Sequence, residues 1–233
     1  MVGSSSSERL KTNENIKVIN SSRDDTNLFS LKETKSLIIR TEPDIVVNSA
    51  AKVGGILAND INRSDFIISN LKININLIES ILEFPNIKLI NLGSSCIYPL
   101  GASNPITEDS LMTGALEPTN SPYAMAKLTA IEMGDAISKE YGHKVVNLMP
   151  TNLYGPRDNF SETDSHVIPG LIYRMHNAKL NNLDTFLVWG TGKPQREFLH
   201  VDDLAKAIEF IINNEIDEGL FNVGSSEEIS IEN

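Results

Sequence analysis

The residues with the clearest chemical use lie in "SPYAMAK" (residues 121–127), where Tyr123 and Lys127 stand four apart. On a helix that spacing puts the phenol and the ammonium on one face, a turn apart. A free phenol titrates near ~10 and exchanges protons poorly at neutral pH. A neighbouring ammonium stabilises its anion and brings it into use as an acid. Pro122 suits the first turn of such a helix. Tyr–Lys pairs at this spacing also occur by chance on solvated faces, so the pair needs a context. Ser94 supplies one, 29 residues before Tyr123 at the end of an apolar run. A hydroxyl there can hold a substrate oxygen beside the tyrosine; the plainer role of a strand-end serine is to cap a helix or form a turn.

Cys96, in "GSSCIYP", is the only cysteine of the chain. It has two readings: a small buried hydrophobe, the usual fate of a lone cysteine, or a proton-transfer group. His166, in "SHVIP", taken alone is a structural hydrogen-bonder.

These groups need a frame. Residues 15–20, 44–50, 87–95 and 144–152 are short β-branched runs that read as strands buried on both faces. Between them lie helical patterns at 63–84, 123–141 and 202–213. The first of these is apolar on more than one face, which suits packing on its own sheet and on a second subunit. Pro85 ends it. Alternating strands and helices predict an α/β fold with a doubly wound parallel sheet, whose chemistry gathers at the carboxyl ends of the strands. "NSAAKVGG", "GSSCIYP" and "MPTNLYGP" all fall there.

With 233 residues, 40% of them hydrophobic, the chain can bury one sizeable core and a smaller lobe. A formal charge of −11 argues against nucleic acid or an anionic membrane as the main partner. No apolar run approaches the ~20 residues that cross a bilayer. A single cysteine excludes an internal disulfide framework and fits a cytoplasmic location. The four histidines show no metal-site spacing, so no metal is expected.

The stretches "AAKVGGI", "GSSCIYP", "LEPTNSPYAMAK", "MPTNLYGP", "SHVIP" and "VWGTGKPQREFLHVDD" follow one another between residues 50 and 203. In content and order they resemble the extended short-chain dehydrogenase/reductases that act on nucleotide sugars, and among these the GDP-L-fucose synthase group of NADPH-dependent epimerase-reductases. The resemblance implies epimerisation at carbons 3 and 5 of GDP-4-keto-6-deoxymannose, then reduction at carbon 4. It makes Ser94, Tyr123 and Lys127 the reduction set, with Lys127 lowering the tyrosine pKa and holding the nicotinamide ribose. It makes Cys96 and His166 the epimerisation pair, whose ordinary titrations bracket neutral pH.

The same resemblance places NADP(H) against Gly3, Arg23, Leu28, Leu92, Gly93, Ser94, Ser95, Lys127, Pro150, Thr151, Asn152, Leu153 and His166. Arg23 follows the run at 15–20 with no acid immediately before it, which suits a 2′-phosphate, although Asp24 and Asp25 come next. The GDP-sugar is assigned to Arg174, Trp189 and Arg196, guanidinium forks for pyrophosphate and an indole as a flat wall. The implied organisation is a nucleotide-binding domain over 1–152, a substrate lobe over 153–197, a return to the first domain over 198–224, and the start of a further segment at 225–233. A homodimer through the helices around 63–84 and 123–141 is expected.

One departure from the family stands out. Its first strand runs into G-x-x-G-x-x-G, which cradles the pyrophosphate. Here Gly3 falls at the last of those glycines, and serines at 4–7 replace apolar residues of the following helix. The expectation is a chain lacking both ends of the family's fold, and a sheet missing a central strand. Two other readings stand beside the first. A 4-epimerase or 4,6-dehydratase shares Ser–Tyr–Lys, but dehydratases carry Asp–Glu where this chain has Ser95 and Cys96. A non-catalytic remnant would keep these residues and bind no cofactor.

Overall fold

The computed structural model describes residues 1–232. In chain order the elements are α1 (Val2–Leu10), α2 (Leu31–Thr41), β1 (Ile45–Asn48), α3 (Ile56–Ile61), α4 (Arg63–Ile81), β2 (Lys88–Leu92), α5 (Ser121–Tyr141), β3 (Val145–Pro150), β4 (Asn152–Tyr154), α6 (Val167–Leu180), β5 (Gln195–His200), α7 (Val201–Asn213), β6 (Gly219–Val223) and β7 (Glu228–Ser230). A short 3-10 turn, Ser95–Ile97, follows β2.

Four parallel strands form the main sheet in the order β1-β2-β3-β6. Alternate side chains of each strand point to opposite faces. Ile90, Leu92, Val146 and Leu148 therefore meet Leu10 of α1 and Leu204, Ile208 and Ile211 of α7 on one face. Leu89 and Val145 meet Ile38 of α2, Leu77, Ile78 and Ile81 of α4 and Ile137 of α5 on the other. Helices thus cover both faces of a parallel sheet, as the alternation predicts. A small mixed sheet stands beside it, with β5 parallel to β4 and antiparallel to β7.

Two expectations need correction. Residues 15–20 form no strand: Ile16 and Val18 pack against the first core cluster, but the segment enters no ladder among the described residues. β-Branched residues favour extended backbone, yet a strand exists only where a neighbour takes its N–H and C=O groups. The edge of the sheet is accordingly β1, which is half-buried, whereas β2 and β3 are buried throughout. The predicted burial of residues 44–50 on both faces fails because an edge strand has only one neighbour.

Three of the four serines of α1 are buried, two of them with partners, while Ser4 is exposed and the Ser6 hydroxyl is buried without a partner. Ser5, Ser6 and Ser7 lie inside, with Ser5 donating to Asp202 of α7 at 2.6 Å and Ser7 accepting from Asn20 at 2.9 Å. Helix α5 closes on Gly142, whose φ of 75° is a conformation open to glycine at little cost.

Lys88, in β2, is only 5% exposed, and its ammonium reaches Asp217 at 3.4 Å, while Lys144 holds the same carboxylate at 2.6 Å. The hydrogen bond from Lys144, then that from Lys88, holds the Asp217 carboxyl below the usual carboxylate range. Asp217→Asn leaves Lys88 with a neutral partner. Breaking a fully buried pair costs about 3–5 kcal/mol. Asp217 keeps solvent contact, so a loss of about 1–2 kcal/mol is expected in urea unfolding. Its contribution is present above the unfolded pKa near ~4 and fades as pH falls through the lower folded value.

Candidate functional site

Parallel register brings the ends of β2 and β3 together. Gly93 donates its N–H to Leu148 O at 2.8 Å and lies so close to the Met149 sulfur that a side chain there would overlap it. Just beyond, Ser94 caps the 3-10 turn, its hydroxyl accepting from the Cys96 N–H at 3.4 Å. The same hydroxyl bears on the Tyr123 phenol and the Cys96 thiol, favouring the ionised form of each. Helix α5 brings in Tyr123 and Lys127 on one face, with the Lys127 ammonium 5.8 Å from the tyrosine ring centroid. That ammonium donates to Leu92 O, the last carbonyl of β2, at 2.7 Å. Ser94, Cys96, Tyr123 and Lys127 are therefore one cluster at a strand end.

Burial governs the charges in it. Lys127 is pulled down to about 8 by loss of solvent, with the nearby Cys96 opposing. Burial pushes Tyr123 well above a phenol's usual value, and negative charge at Cys96 adds to this while the Ser94 hydroxyl opposes it. The expectation that Lys127 lowers the phenol is thus not met in this chain: desolvation is the largest influence on Tyr123, and the ammonium is itself short of solvent. Burial also raises Cys96, against the Ser94 hydroxyl and the Lys127 charge. At rest the cysteine is a thiol.

A buried lysine that titrates near 8 leaves a signature in stability. The unfolded chain holds that proton up to ~10.4, so between the two values the unfolded state binds more protons and stability rises with pH. Subtracting the curve of Lys127→Met from that of the parent chain should expose a rise of about 2–3 kcal/mol across that window. Denaturant midpoints measured from neutral to alkaline pH would show it; a flat difference would mean that Lys127 keeps its ordinary pKa and stays charged in the folded chain.

His166 sits at the N-cap of α6. Crowding by the protein lowers its pKa while Asp158 opposes, although the ring keeps solvent contact. The loop leading to it is fixed against "AAKVGG": Gly55 donates to Asp164 O at 3.1 Å, and a Cβ on Gly55 would meet Ser165 O at 2.5 Å. Phe66 continues the connection, edge-on to Tyr123 at 6.3 Å and tight against Gly54. Lys52, paired with Asp65, lies over the same ring. Cys96 and His166 make no hydrogen bond with each other; Tyr123, Phe66, Gly54 and Ser165 bridge the space between their elements.

Of the residues expected at the sugar nucleotide, Arg174 and Trp189 meet, with the guanidinium 4.6 Å from the indole centroid. Arg174 Nε is buried without a partner. Arg196, on β5, instead turns to the carbonyl of Gln195 at 2.7 Å and is not brought to that pair.

The expected cofactor residues divide similarly. Leu92, Gly93, Ser94, Ser95 and Lys127 are contiguous with the cluster. Pro150 ends β3, and Thr151 donates its N–H to Val223 O at 3.1 Å while its hydroxyl is buried without a partner. Asn152 commits its side-chain amide to Glu197 O at 2.9 Å, and Leu153 pairs with Leu199. Gly3 packs so closely on the end of β1 that a Cβ would lie 2.7 Å from the Ser49 hydroxyl. Arg23 is exposed and unpaired among the described residues, in the turn capped by Asp25, and Leu28 accepts from Asn76 at 2.8 Å. The nicotinamide end thus has residues that fit it: an orphan hydroxyl, a glycine-lined strand end and a buried ammonium. A cavity of about 200 Å³ lies apart from the cluster, between α6 and β4, lined by Tyr154, Asp158, Phe160, Ile168 and His200 among others.

Residues that sequence reasoning passed over are Phe66, the buried bridge Asn48–Asn74–Ala126 O at 3.2 and 3.3 Å, and Glu117. Only Glu117 had a legible signal, an acid just ahead of a helix start. Among the described residues no group of side chains is arranged to hold a metal ion, and no helix is long and apolar enough to cross a membrane.

A sequence profile of the NAD dependent epimerase/dehydratase family matches residues 1–224. The chain is 44% identical over 231 residues to a GDP-L-fucose synthase of Sinorhizobium fredii (strain NBRC 101917 / NGR234), covering 99% of this chain and 73% of that protein. It is 50% identical over 190 residues to a probable GDP-L-fucose synthase 1 of Oryza sativa subsp. japonica, covering 81% of this chain and 58% of that protein. The crystal structure of a GDP-L-fucose synthetase from Naegleria fowleri bound to NADP superposes with a TM-score of 0.87 at 28% identity, over 99% of this chain and 72% of that one. The profile spans nearly all of the described residues, and the match to the bacterial protein extends over 99% of this chain, so the chain belongs to the NAD dependent epimerase/dehydratase family and, within it, to the GDP-L-fucose synthases.

Proposed function

We propose that the protein converts GDP-4-keto-6-deoxy-D-mannose to GDP-L-fucose, by epimerisation at carbons 3 and 5 followed by NADPH-dependent reduction at carbon 4. The observation that carries this reading is the meeting of Ser94, Cys96, Tyr123 and Lys127 at the end of β2.

Carbons 3 and 5 flank the ketone, so their protons are acidic enough for a side chain to remove. Cys96 and His166 are the groups that take and return them. Ser94 and Tyr123 hold the ketone oxygen, and Tyr123 protonates it as the alkoxide forms. Lys127, whose ammonium stands beside the Tyr123 ring, would hold the ribose hydroxyls of the nucleotide. A bound nicotinamide nucleotide supplies the reducing equivalent to carbon 4. Arg174 and Trp189 serve the sugar nucleotide, the guanidinium for its pyrophosphate and the indole as a wall. The remaining polar hydrogens of Arg174 and its unpartnered Nε favour that role. Arg196 completes the grip only if its side chain leaves the Gln195 carbonyl. On this reading residues 1–152 and 198–224 bind nucleotide and 153–197 form the sugar lobe.

A second copy of the chain is the partner that fits α4 and α5. The two helices pack on one another, and Ile68, Ile75 and Met125 remain exposed on them at 51%, 39% and 45%.

The test is titration of the purified chain with NADPH, followed by the keto sugar. Saturable quenching and net NADPH oxidation are expected, since 4-epimerases and dehydratases regenerate their nucleotide. A chain that is folded by circular dichroism but leaves NADPH unbound would overturn the reading and favour the non-catalytic one.

A further inference from the structure

The turn that carries Cys96 is tied down at both ends, by different strands. Ser94 opens it and Tyr98 closes it. The Ser94 end is fixed by β2 and β3, through the Gly93 N–H to Leu148 O at 2.8 Å. The Tyr98 end reaches much further. Tyr98 is only 5% exposed, and its hydroxyl donates to the amide oxygen of Asn222, on β6, at 2.6 Å.

The neighbours of Asn222 leave its amide one orientation. A carbonyl can only accept, so Ile106 O takes the Asn222 Nδ2 at 3.1 Å. The amide oxygen is thereby turned to Tyr98, whose hydroxyl must donate. The backbone N–H of Asn222 donates to the Glu108 carboxylate at 2.8 Å. β6 ends the main sheet, so its outward N–H groups have no ladder partner. The segment from Tyr98 to Glu108 supplies one, and is held by the strand it covers.

Asn222 also stands at the right level. In the ladder it lies opposite Met149, which packs with Ile97 and Tyr98 and whose sulfur lies against Gly93. That packing presses the turn onto the sheet but is non-directional. The hydrogen bond to Asn222 is directional and sets where along the sheet the turn comes to rest.

We infer that Asn222 is a positioning residue for the Cys96 turn: through the Tyr98 hydroxyl it fixes where the thiol stands against the carbon it serves. Tyr123 and Lys127 ride on α5 and do not depend on this anchor. The inference rests on the proposed role of Cys96, so two readouts are needed, one of which uses neither sugar nor nucleotide.

Tyr98→Phe keeps the buried ring and removes the one hydroxyl; Asn222→Ala removes its acceptor. The first readout is exchange of the keto sugar's carbon-bound hydrogens with deuterated water, with oxidised nucleotide present so that no reduction competes. Both variants should lose about tenfold in kcat for exchange with KM for the sugar unchanged, since a shift of ~1 Å at a reacting group costs up to about 10²-fold. Because Asn222 acts through Tyr98, the double variant should lose no more than N222A alone. A merely structural role would lower the unfolding midpoint and leave kcat per folded molecule at the parent value. Parent-level kcat in Y98F, a change confined to KM, or losses that multiply in the double variant would each overturn the inference. Should N222A fail to fold, Y98F decides alone.

The second readout is alkylation of Cys96, the only cysteine, by iodoacetamide. Both variants should react about threefold to tenfold faster, the factor that one net hydrogen bond is worth. Local loosening of the turn makes that increase independent of urea at concentrations well below unfolding. An unchanged rate, or an increase that appears only as urea approaches the unfolding midpoint, would overturn the anchoring even if Cys96 proves catalytic. Faster alkylation together with parent-level exchange in Cys96→Ser would instead overturn the role of the thiol and leave its anchoring by Asn222 standing.

Discussion

Tyr123→Phe is expected to lower the rate of ketone reduction by about 10²–10⁴-fold, the range lost when a positioned general acid is removed. The substitution is conservative in every respect but one. The ring keeps its edge-on contact with Phe66 at 6.3 Å and its place under Lys127. What goes is the phenol hydroxyl, on which the Ser94 hydroxyl bears. A single buried hydrogen bond between neutral groups is worth about 1 kcal/mol, so the variant should fold. The phenol lies above its usual pKa, so it arrives at the reaction as an acid with its proton in place. That suits protonation of an alkoxide and does not suit abstraction of a carbon-bound proton. Exchange of the sugar's carbon-bound hydrogens with deuterated water should therefore survive in the variant while NADPH oxidation collapses. Following both by NMR and absorbance checks this, and parent-level NADPH oxidation would sink the assignment of Tyr123.

Cys96→Ser should do the converse. A serine hydroxyl is a far weaker acid than a thiol, so proton transfer at the carbon served by Cys96 falls by about 10²–10⁴-fold. Cys96 is half-buried beside Ser94 and Lys127, and a hydroxyl there can take up the contacts of the thiol. On the proposed mechanism reduction needs only Tyr123, Ser94 and Lys127, so NADPH should still be consumed, now on a sugar that has kept its original configuration at that carbon. Deuterium incorporation position by position, with the configuration of the product, reads this out. Undiminished incorporation at carbons 3 and 5 would return Cys96 to its plainer reading as a small packed residue. His166→Asn offers the companion measurement, with the loss expected at the same two carbons.

The two variants separate steps that share one set of residues, and the separation has a structural basis. Tyr123 and Lys127 ride on one helix, while Cys96 belongs to a 3-10 turn of its own and His166 to the cap of α6. Ser94 bears on both the phenol and the thiol. Ser94→Ala would accordingly affect both steps.

Local patterns carried much of this in the sequence. The four-residue spacing of Tyr123 and Lys127 forces a shared helix face, and the helix is there, closed by Gly142 as its backbone freedom allows. Uninterrupted apolar runs at β2 and β3 belong to strands covered on both sides, and both are buried. The order of these elements implies a parallel sheet, and with it the collection of "GSSCIYP" and "SPYAMAK" at one strand end. What depends on partners distant in the chain was not legible. Residues 15–20 read as a strand because β-propensity is local, while a ladder needs a neighbour that no local pattern can promise. The serines of α1 read as a fault until Asp202, from α7, stood opposite Ser5. Lys127 was expected to bring the phenol down because spacing reveals which charges are close. Spacing cannot reveal how much water they lose, and here desolvation sets both pKa values. The sequence by itself thus determined which groups can meet on an element; burial, which belongs to the assembled fold alone, decided in what charge state they meet.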